Sequence, residues 1–275
     1  MLIYFAGADN KQHARLLATC GVKNILVSYH TMMTSGVDIE DVVTPFNTFG
    51  YKPSLFLDSG GFVARLKNKP IDVRAYAEYA RVRRKDVTVA ANLDTNDLAE
   101  SQSNHDFLQG ILAPVPVLPV YHPTEYLGPA DERDLLAKWC ETHDYIAIGG
   151  VAGAKLSADV VIRYLDYVFS ITRDRVKVHG FGITKMDLLR RYPFYSVDST
   201  TWLNGGMYGE VFKFMGDTVK KHRSLSVVAK NANRTIETAD QLGSYFYKCR
   251  ANIEAFVRFE KYLTDLWSER GVTWS

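Results

Sequence analysis

Three aspartates stand where short apolar runs end, and a carboxylate in such a place can exchange a proton with a substrate. The stretch LFLDSGGF, residues 55–62, sets Asp58 between an apolar run and two glycines, while Asp94 ends VTVAANLD and Asp198 lies in YSVDST. Glycines after a strand also suit a plain turn, because they adopt backbone conformations closed to other residues. Asp58 therefore has two interpretations, a turn residue or a proton-transfer group.

The chain alternates short strand-like runs with amphipathic helical stretches. Eight apolar runs lie at residues 2–7, 24–29, 55–59, 87–94, 115–121, 145–150, 176–182 and 195–200. Helical periodicity is clear at residues 71–84, 131–142 and 157–170. Apolar strands separated by helices are typical of a parallel sheet covered by helices, and eight such units predict an α/β fold, a (β/α)₈ TIM-type barrel. A doubly wound open sheet is the alternative.

A (β/α)₈ barrel would bring polar residues from different strands to one mouth, because active sites in this fold lie at the C-terminal ends of the strands. The residues at those ends are Asp58 (third run), Asp94 (fourth), Tyr121 and His122 (fifth), Gly149 and Gly150 (sixth), His179 (seventh) and Asp198 (eighth). Three carboxylates at one mouth repel one another and cost stability. A functional site explains all three together, whereas structural roles would need a separate reason for each.

Composition places the chain among ordinary globular proteins, since 47% hydrophobic and 23% charged residues argue against disorder or a fibre. The apolar start MLIYFAGA lacks the basic residues of a signal peptide, and no segment offers the roughly 18 uncharged apolar residues of a membrane helix. We therefore expect an intracellular, cytoplasmic protein without a membrane partner. Cys20, Cys140 and Cys249 are odd in number and far apart, so we expect neither disulfides nor a paired-cysteine metal site.

Basic residues are unevenly spread, although the net charge is only +2. The segment 213–234 contains a single acid, Asp217, and its cations are Lys213, Lys220, Lys221, Arg223, Lys230 and Arg234. We interpret this segment as a candidate phosphate-binding surface. A second basic cluster, RVRRK at residues 81–85, is better explained as a solvated helix end.

The ordered motifs resemble those of the tRNA-guanine transglycosylase family. DSGGF follows the third strand, an aspartate ends the fourth, AIGGVAG spans the end of the sixth, GFG ends the seventh and VDSTTW the eighth. The resemblance covers about the first 205 residues and is closest to the short, zinc-less DpdA-type members of phages and bacteria, which insert 7-deazaguanines into DNA. It implies a catalytic barrel over 1–205. The remaining residues, 206–275, contain the basic segment and a helical pattern at 238–267 that we expect to pack on the barrel, with a dimer seam as the alternative.

The resemblance also implies roles for individual residues. Asp198 matches the nucleophile that attacks C1′ and forms a covalent glycosyl-enzyme intermediate, and Asp58 matches the general acid/base. Asp94 matches the carboxylate that binds N1–H and the exocyclic amine of guanine. The other expected base contacts are Ser59, Gly60, Phe62 as the stacking ring, Gly149, Gly150 and Val151, with His122 and His179 as further candidates.

Three departures from the family pattern stand out. Val63 replaces the glutamine that usually follows SGGF, and VYHP replaces a Gln-Gly pair, so that Tyr121, His122 or neither takes the place of the amide. His179 is a single histidine in a strand, and such a residue is more often a packed core residue than a catalyst. Of the three-cysteine, one-histidine zinc site of the tRNA enzymes, only Cys249 has a counterpart, so we expect no zinc and no other cofactor.

The resemblance therefore predicts a pentosyltransferase that replaces guanine in DNA with a free 7-deazaguanine base of the preQ0 or preQ1 type. Lys220, Lys221, Arg223, Lys230 and Arg234 are the expected DNA contacts. The helical pattern at 238–267 lacks zinc ligands and leaves little room for an RNA-binding domain, which favours DNA over tRNA. Exchange on tRNA, a non-catalytic nucleic-acid-binding homologue and a hydrolase of small nucleosides are the alternatives. Retention of all three acids argues against the non-catalytic homologue.

Overall fold

The computed structural model of the chain describes residues 1–8, 10–151, 156–173, 175–223 and 239–274, with the side chains of 223 and 239–244 left out. Within these ranges one sheet contains nine short parallel strands. They are β1 (Leu2–Ala6), β2 (Asn24–Ser28), β3 (Ser54–Asp58), β4 (Val89–Ala91), β5 (Val117–Leu118), β6 (Val120–Tyr121), β7 (Tyr145–Ile148), β8 (Lys177–Gly180) and β9 (Ser196–Ser199). Their order in the sheet is β5-β4-β3-β2-β1-β9-β8-β7-β6.

The segment 116–121 closes the sheet into a barrel. On one side the amides of Ala90 and Asn92 donate to the carbonyls of Pro116 and Leu118, at 3.0 and 2.9 Å. On the other side the amide of Ala147 donates to the carbonyl of Pro119 at 2.9 Å. One run of chain thus pairs with β4 and with β7, which confirms the predicted TIM-type barrel and excludes the open sheet.

Two boundaries differ from the sequence-based expectation. The fifth predicted strand is divided into β5 and β6 by Pro119, which has no amide hydrogen to donate to a neighbouring strand. The predicted helix 131–142 is two helices that meet at Asp134, the C-cap of one and the N-cap of the next. The remaining strands and helices lie within a few residues of their predicted positions.

Helices surround the barrel between successive strands. They are α1 (Lys11–Thr19), α2 (Tyr29–Ser35), α3 (Ile39–Thr48), α4 (Gly61–Leu66), α5 (Val73–Val82), α6 (Leu98–Leu112), α7 (Pro123–Leu127), α8 (Ala130–Arg133), α9 (Leu135–Thr142), α10 (Ala158–Thr172), α11 (Met186–Arg191) and α12 (Thr201–Met207). Several begin at side-chain caps, which satisfy amides that a helix start leaves unpaired. Asp97 accepts from the amide of Glu100 at 2.9 Å, and Ser157 accepts from that of Val160 at 3.3 Å.

Alternation along the strands sorts the side chains into two apolar layers. The inner cluster contains Tyr4, Ala6, Leu26, Phe56, Val89, Ala91, Leu118, Val120 and Ala147. A larger cluster fills the space between the sheet and the helices. Because successive side chains in a strand point to opposite faces, Asp58 follows Phe56 on the inner face and Asp198 follows Ser196 on the inner face.

A hairpin and a long helix follow the barrel. The hairpin consists of β10 (Glu210–Phe214) and β11 (Val219–Arg223), and the helix is α13 (Ala239–Glu269). Phe212 packs on Phe256 of this helix, and Trp267 donates its indole hydrogen to the carbonyl of Leu189 at 3.0 Å. The helix therefore fastens the hairpin to the barrel. None of the helices in the described ranges combines the length and the apolar character needed to cross a bilayer.

Candidate active site

Asp58 ends β3 at the barrel mouth, and the glycines after it are required by the backbone. Gly60 has φ of +76°, in the left-handed region, and a Cβ there would lie 2.6 Å from the Cβ of His30. A side chain at this position would force neighbouring backbone apart. The turn explanation for the glycines is thus correct, and the inward-facing carboxylate of Asp58 takes part in this turn by accepting from the backbone amides of Ser59 and Gly60.

The environment of Asp58 favours its protonated form. Burial raises the pKa of Asp58 from 3.8 to about 7, and the negative charges of Asp198 and Asp94 add to this effect. Backbone amides of Ser59 and Gly60 offset part of the shift. The three predicted aspartates therefore lie close enough to interact, and Asp58 exchanges its proton near neutral pH.

Asp198, in β9, is held in one orientation at the mouth. Its Oδ1 accepts a hydrogen bond of 2.7 Å from the amide of Gly182, in the GFG sequence after β8. The same oxygen lies 3.5 Å from Nε2 of His179. A carboxylate fixed through one oxygen presents the other for reaction.

His179 lies beneath this carboxylate and has no exposed surface. Its ring packs against the rings of Phe56 and Phe181, with centroids 4.5 and 4.6 Å away, and Nδ1 lies 2.7 Å from Oγ of Ser196. Burial lowers the pKa of His179, although Asp198 acts in the opposite direction. His179 is therefore a neutral, enclosed ring whose polar contacts are with Ser196 and Asp198.

Asp94 is held by the side chains of His122 and Arg65. Its Oδ2 lies 3.0 Å from Nε2 of His122 and 3.3 Å from a guanidinium nitrogen of Arg65, which also donates to the Asp94 carbonyl. Desolvation is the largest influence and raises the pKa of Asp94, but His122 and Arg65 outweigh it, so that the pKa lies below the ordinary value. Asp94 is therefore an ionised acceptor, in contrast to Asp58.

His122 is the residue of the VYHP sequence that reaches the site. Desolvation, the largest influence, lowers the pKa of His122, but the charges of Asp94 and Glu125 outweigh it and raise the pKa. Tyr121 points outward instead: its hydroxyl donates to the carbonyl of Arg133 at 3.1 Å, and its ring stacks on Tyr164. Of the two candidates, only His122 adjoins the predicted base-binding residues.

The glycines after β7 let His122 approach the backbone. A Cβ on Gly149 would lie 2.8 Å from Cε1 of His122, and Gly150 has φ of +72° with a Cβ position 2.9 Å from Pro123. Val151 follows and is partly buried. These residues form a wall beside His122 that side chains larger than glycine would displace.

The motif residues around Asp58 differ in exposure. Ser59 is buried, and its Oγ accepts from the amide of Gly61 at 3.3 Å, so it stabilises the turn. Phe62 is 57% exposed at the start of α4, as a ring free to stack on a ligand would be. Val63 is also exposed on α4.

The predicted phosphate contacts fall in different places. Lys220 is exposed in β11, opposite Lys213 of β10, whereas Lys221 pairs with Glu210 at 2.9 Å. The turn of the hairpin approaches the end of α11, where Asp217 lies 3.7 Å from Arg190. The side chain of Arg223, and both Lys230 and Arg234, lie outside the described residues. The described part of the basic segment therefore runs along the side of the barrel.

Arg65, which contacts Asp94, and Ser196 and Tyr145, which connect to Asp198 through His179, were missed by the sequence-based prediction. Arg65 lies on α4, seven positions beyond Asp58, and no spacing rule links it to Asp94. Ser196 was detectable in principle, since it precedes Asp198 by two residues and therefore shares its face of the strand, whereas nothing in the sequence links Tyr145 to it. Two further cations, Lys67 and Lys69, are exposed just after α4 near the mouth.

A cavity of about 280 Å³ adjoins the pair formed by Asp94 and His122, and Asn92, Glu125 and Trp139 also line it.

Within the described part of the chain, no three His, Cys, Asp or Glu side chains are grouped as ligands of one metal ion. The expectation of no zinc stays a prediction. Neither a protein-family model nor a curated protein matches this chain.

Proposed function

We propose that this protein is a base-exchange transglycosylase that replaces guanine in a polynucleotide, DNA in the first instance, with a 7-deazaguanine. One observation carries the proposal: three aspartates lie at one barrel mouth in different environments. Burial brings the pKa of Asp58 to about 7, Asp94 is ionised against His122 and Arg65, and Asp198 is oriented by Gly182. Paired carboxylates with different proton affinities are the machinery of retaining glycosyl transfer.

In the first half-reaction the Asp198 carboxylate attacks C1′ while the bond from C1′ to the guanine nitrogen breaks. The electron pair of that bond leaves with guanine, which takes the proton of Asp58 and departs neutral. Asp198 is then an ester of the sugar and Asp58 is a carboxylate. In the second half-reaction Asp58 removes the ring N–H proton of the incoming base, whose nitrogen attacks C1′ and releases Asp198. Two inversions leave the configuration of C1′ unchanged.

Recognition of the base is assigned to residues on the other side of the mouth. The ionised Asp94 can accept from the N1–H and amine of a guanine-type ring, which adenine cannot supply in the same arrangement. His122, enclosed by the glycine wall, holds the Asp94 carboxylate through Nε2, and the exposed ring of Phe62 can stack on the face of the base. Guanine and a 7-deazaguanine both have the N1–H, the exocyclic amine and the aromatic ring face, so the same residues can bind either base, as exchange requires.

Positive charge near the mouth supports a polyanionic substrate. Lys67 and Lys69 are exposed just after α4 near the mouth, whereas Lys213 and Lys220 are exposed on the hairpin along the side of the barrel. Phosphate contacts of this kind do not depend on base sequence and weaken as salt rises. In a duplex the target nucleotide would have to leave the stack before Asp198 could reach C1′.

Incubation of the protein with labelled guanine and either DNA or tRNA tests the proposal. We expect label to enter DNA at low salt, incorporation to fall as salt rises, and excess unlabelled 7-deazaguanine to displace the label. Single-stranded and duplex DNA should be compared in parallel. Labelling of tRNA with none of DNA would overturn the choice of DNA, and release of base by water alone would replace exchange by hydrolysis.

Asp94→Asn is expected to weaken binding of the free base. The amide sets a donor against the N1–H and amine of the base, and a mismatched buried polar group costs roughly 1 to 3 kcal/mol, or about 5- to 150-fold in affinity. Equilibrium binding of guanine measures the change, with Asp86→Asn, at an aspartate that pairs with Lys52 away from the mouth, as control. Equal affinity of parent and variant would reduce Asp94 to an anchor for Arg65 and His122.

A further inference from the structure

A row of buried polar groups runs from the barrel interior to Asp198. The hydroxyl of Tyr145 lies 2.5 Å from Oγ of Ser196, which lies 2.7 Å from Nδ1 of His179, and Nε2 of His179 faces Asp198 Oδ1 at 3.5 Å. Ser196 and His179 have no exposed surface. Among the described residues, no atom stands in hydrogen-bonding geometry with Nε2. A buried polar nitrogen without a partner costs free energy, so a reason for its orientation is needed.

The hydrogen positions in this row follow from counting donors. Tyr145 and Ser196 each have one hydroxyl proton. If Tyr145 donates to Ser196 and Ser196 donates to Nδ1, then the single proton of the neutral imidazole is on Nε2 and points to Asp198. In the opposite direction Nδ1 would donate to Ser196, and the lone pair of Nε2 would face the Asp198 carboxylate. In the first arrangement His179 Nε2–H attracts the Asp198 carboxylate, and in the second the Nε2 lone pair repels it.

Packing prevents the ring of His179 from rotating away from Ser196 and Asp198. Phe56, Phe181 and Tyr4 enclose it, with centroid distances of 4.5, 4.6 and 6.0 Å. The groups that face it with polar atoms are Ser196 and Asp198, and of these Asp198 is the charged one. Asp58 acts on Asp198 from the neighbouring part of the mouth.

We propose that His179 is a positioning residue whose Nε2–H faces Asp198 Oδ1 at 3.5 Å and attracts it electrostatically, with Ser196 and Tyr145 fixing the required tautomer. Gly182 donates a hydrogen bond to the same oxygen, so this bond and the nearby Nε2–H together hold Oδ1 and direct Oδ2 toward the substrate. The inference rests on the proposed function for the role of Asp198 as nucleophile. Under this proposal His179 does not contact the base, as the sequence had suggested, but orients the reacting carboxylate of Asp198.

The tautomer can be measured without any activity. Nitrogen-15 NMR of histidine-labelled protein at pH 7.5 should show one neutral imidazole protonated at Nε2 with Nδ1 as acceptor, assigned by its loss in His179→Gln. Ser196→Ala and Tyr145→Phe should shift or mix this signal, whereas Ser170→Ala on the exposed face of α10 should not. A proton on Nδ1, or a charged imidazolium, would overturn the proposal.

The consequence for catalysis is a separate measurement. Because misplacing a reacting group by about 1 Å can cost on the order of 10²-fold, we expect Ser196→Ala and His179→Gln to slow formation of the covalent adduct roughly 10- to 100-fold while base affinity stays unchanged. Parent-like rates in both variants would overturn the positioning role. An Nε2–H signal in a protein that transfers no base would instead defeat the proposed function and leave the tautomer assignment standing.

Discussion

Asp198→Asn is expected to abolish base exchange and the covalent adduct while leaving the fold and polynucleotide binding nearly intact. The amide has almost the same shape, and its oxygen can still accept from the amide of Gly182. It carries no negative charge and is a poor nucleophile, so we expect a loss of more than about 10⁴-fold. Transfer of labelled guanine and adduct formation on a denaturing gel are the measurements.

The matched control for this variant is Asp187→Asn. Asp187 is exposed in the first turn of α11, after the strand that neighbours β9, and the substitution changes the net charge by the same amount. We expect parent-like exchange in this control. Exchange at the parent rate in Asp198→Asn would remove Asp198 from the chemistry and with it the retaining mechanism.

The fold was predictable because its signals are local. Each apolar run in the chain contains a strand, and the ends of these runs predicted where Asp58 and Asp198 lie. The closing strand could not be predicted to the residue, because Pro119 interrupts its pairing without breaking the barrel. The hairpin of β10 and β11 was not predicted. Its lysines, Lys213, Lys220 and Lys221, led us to interpret the segment by its charge and not by its strand pattern.

The site was predictable only in part, because sequence order gives the strand end but not the partner. The positions of Asp58, Asp94 and Asp198 followed from the barrel. The clamp of Arg65 and His122 on Asp94 joins three separate segments, and such contacts depend on side-chain reach across the mouth. His179 shows the same limit, since its strand position is compatible with a base contact and with the buried ring that the structure contains.

Asp58→Asn is expected to slow exchange by about 10² to 10⁴-fold at neutral pH, because the departing and incoming bases lose their proton donor and acceptor. In the parent, the pKa of Asp58 near 7 means that the acid form is depleted as pH rises through 7. Adduct formation should therefore fall between pH 6 and 8.5 in the parent, and that decline should be absent from the slow residual reaction of the variant. A variant with the parent rate, or with the same decline, would remove the acid role from Asp58.

The same substitution is expected to raise stability at pH 8, which separates lost chemistry from lost folding. In the unfolded chain Asp58 has its ordinary pKa of 3.8, and burial raises it to about 7 in the folded protein. The folded state therefore binds more protons between these values, and stability falls as pH rises from about 4 to about 7. Because each pKa unit corresponds to about 1.4 kcal/mol and Asp58 is partly exposed, the variant should gain roughly 1 to 3 kcal/mol at pH 8 and almost nothing near pH 4. Glu260 and the amino terminus of Met1 also have shifted pKa values, but they are common to both proteins and cancel in the difference. Urea unfolding at the two pH values measures this difference in stability. A variant less stable than the parent at pH 8 would show that the ionised Asp58 carboxylate stabilises the fold, which is the opposite of our inference.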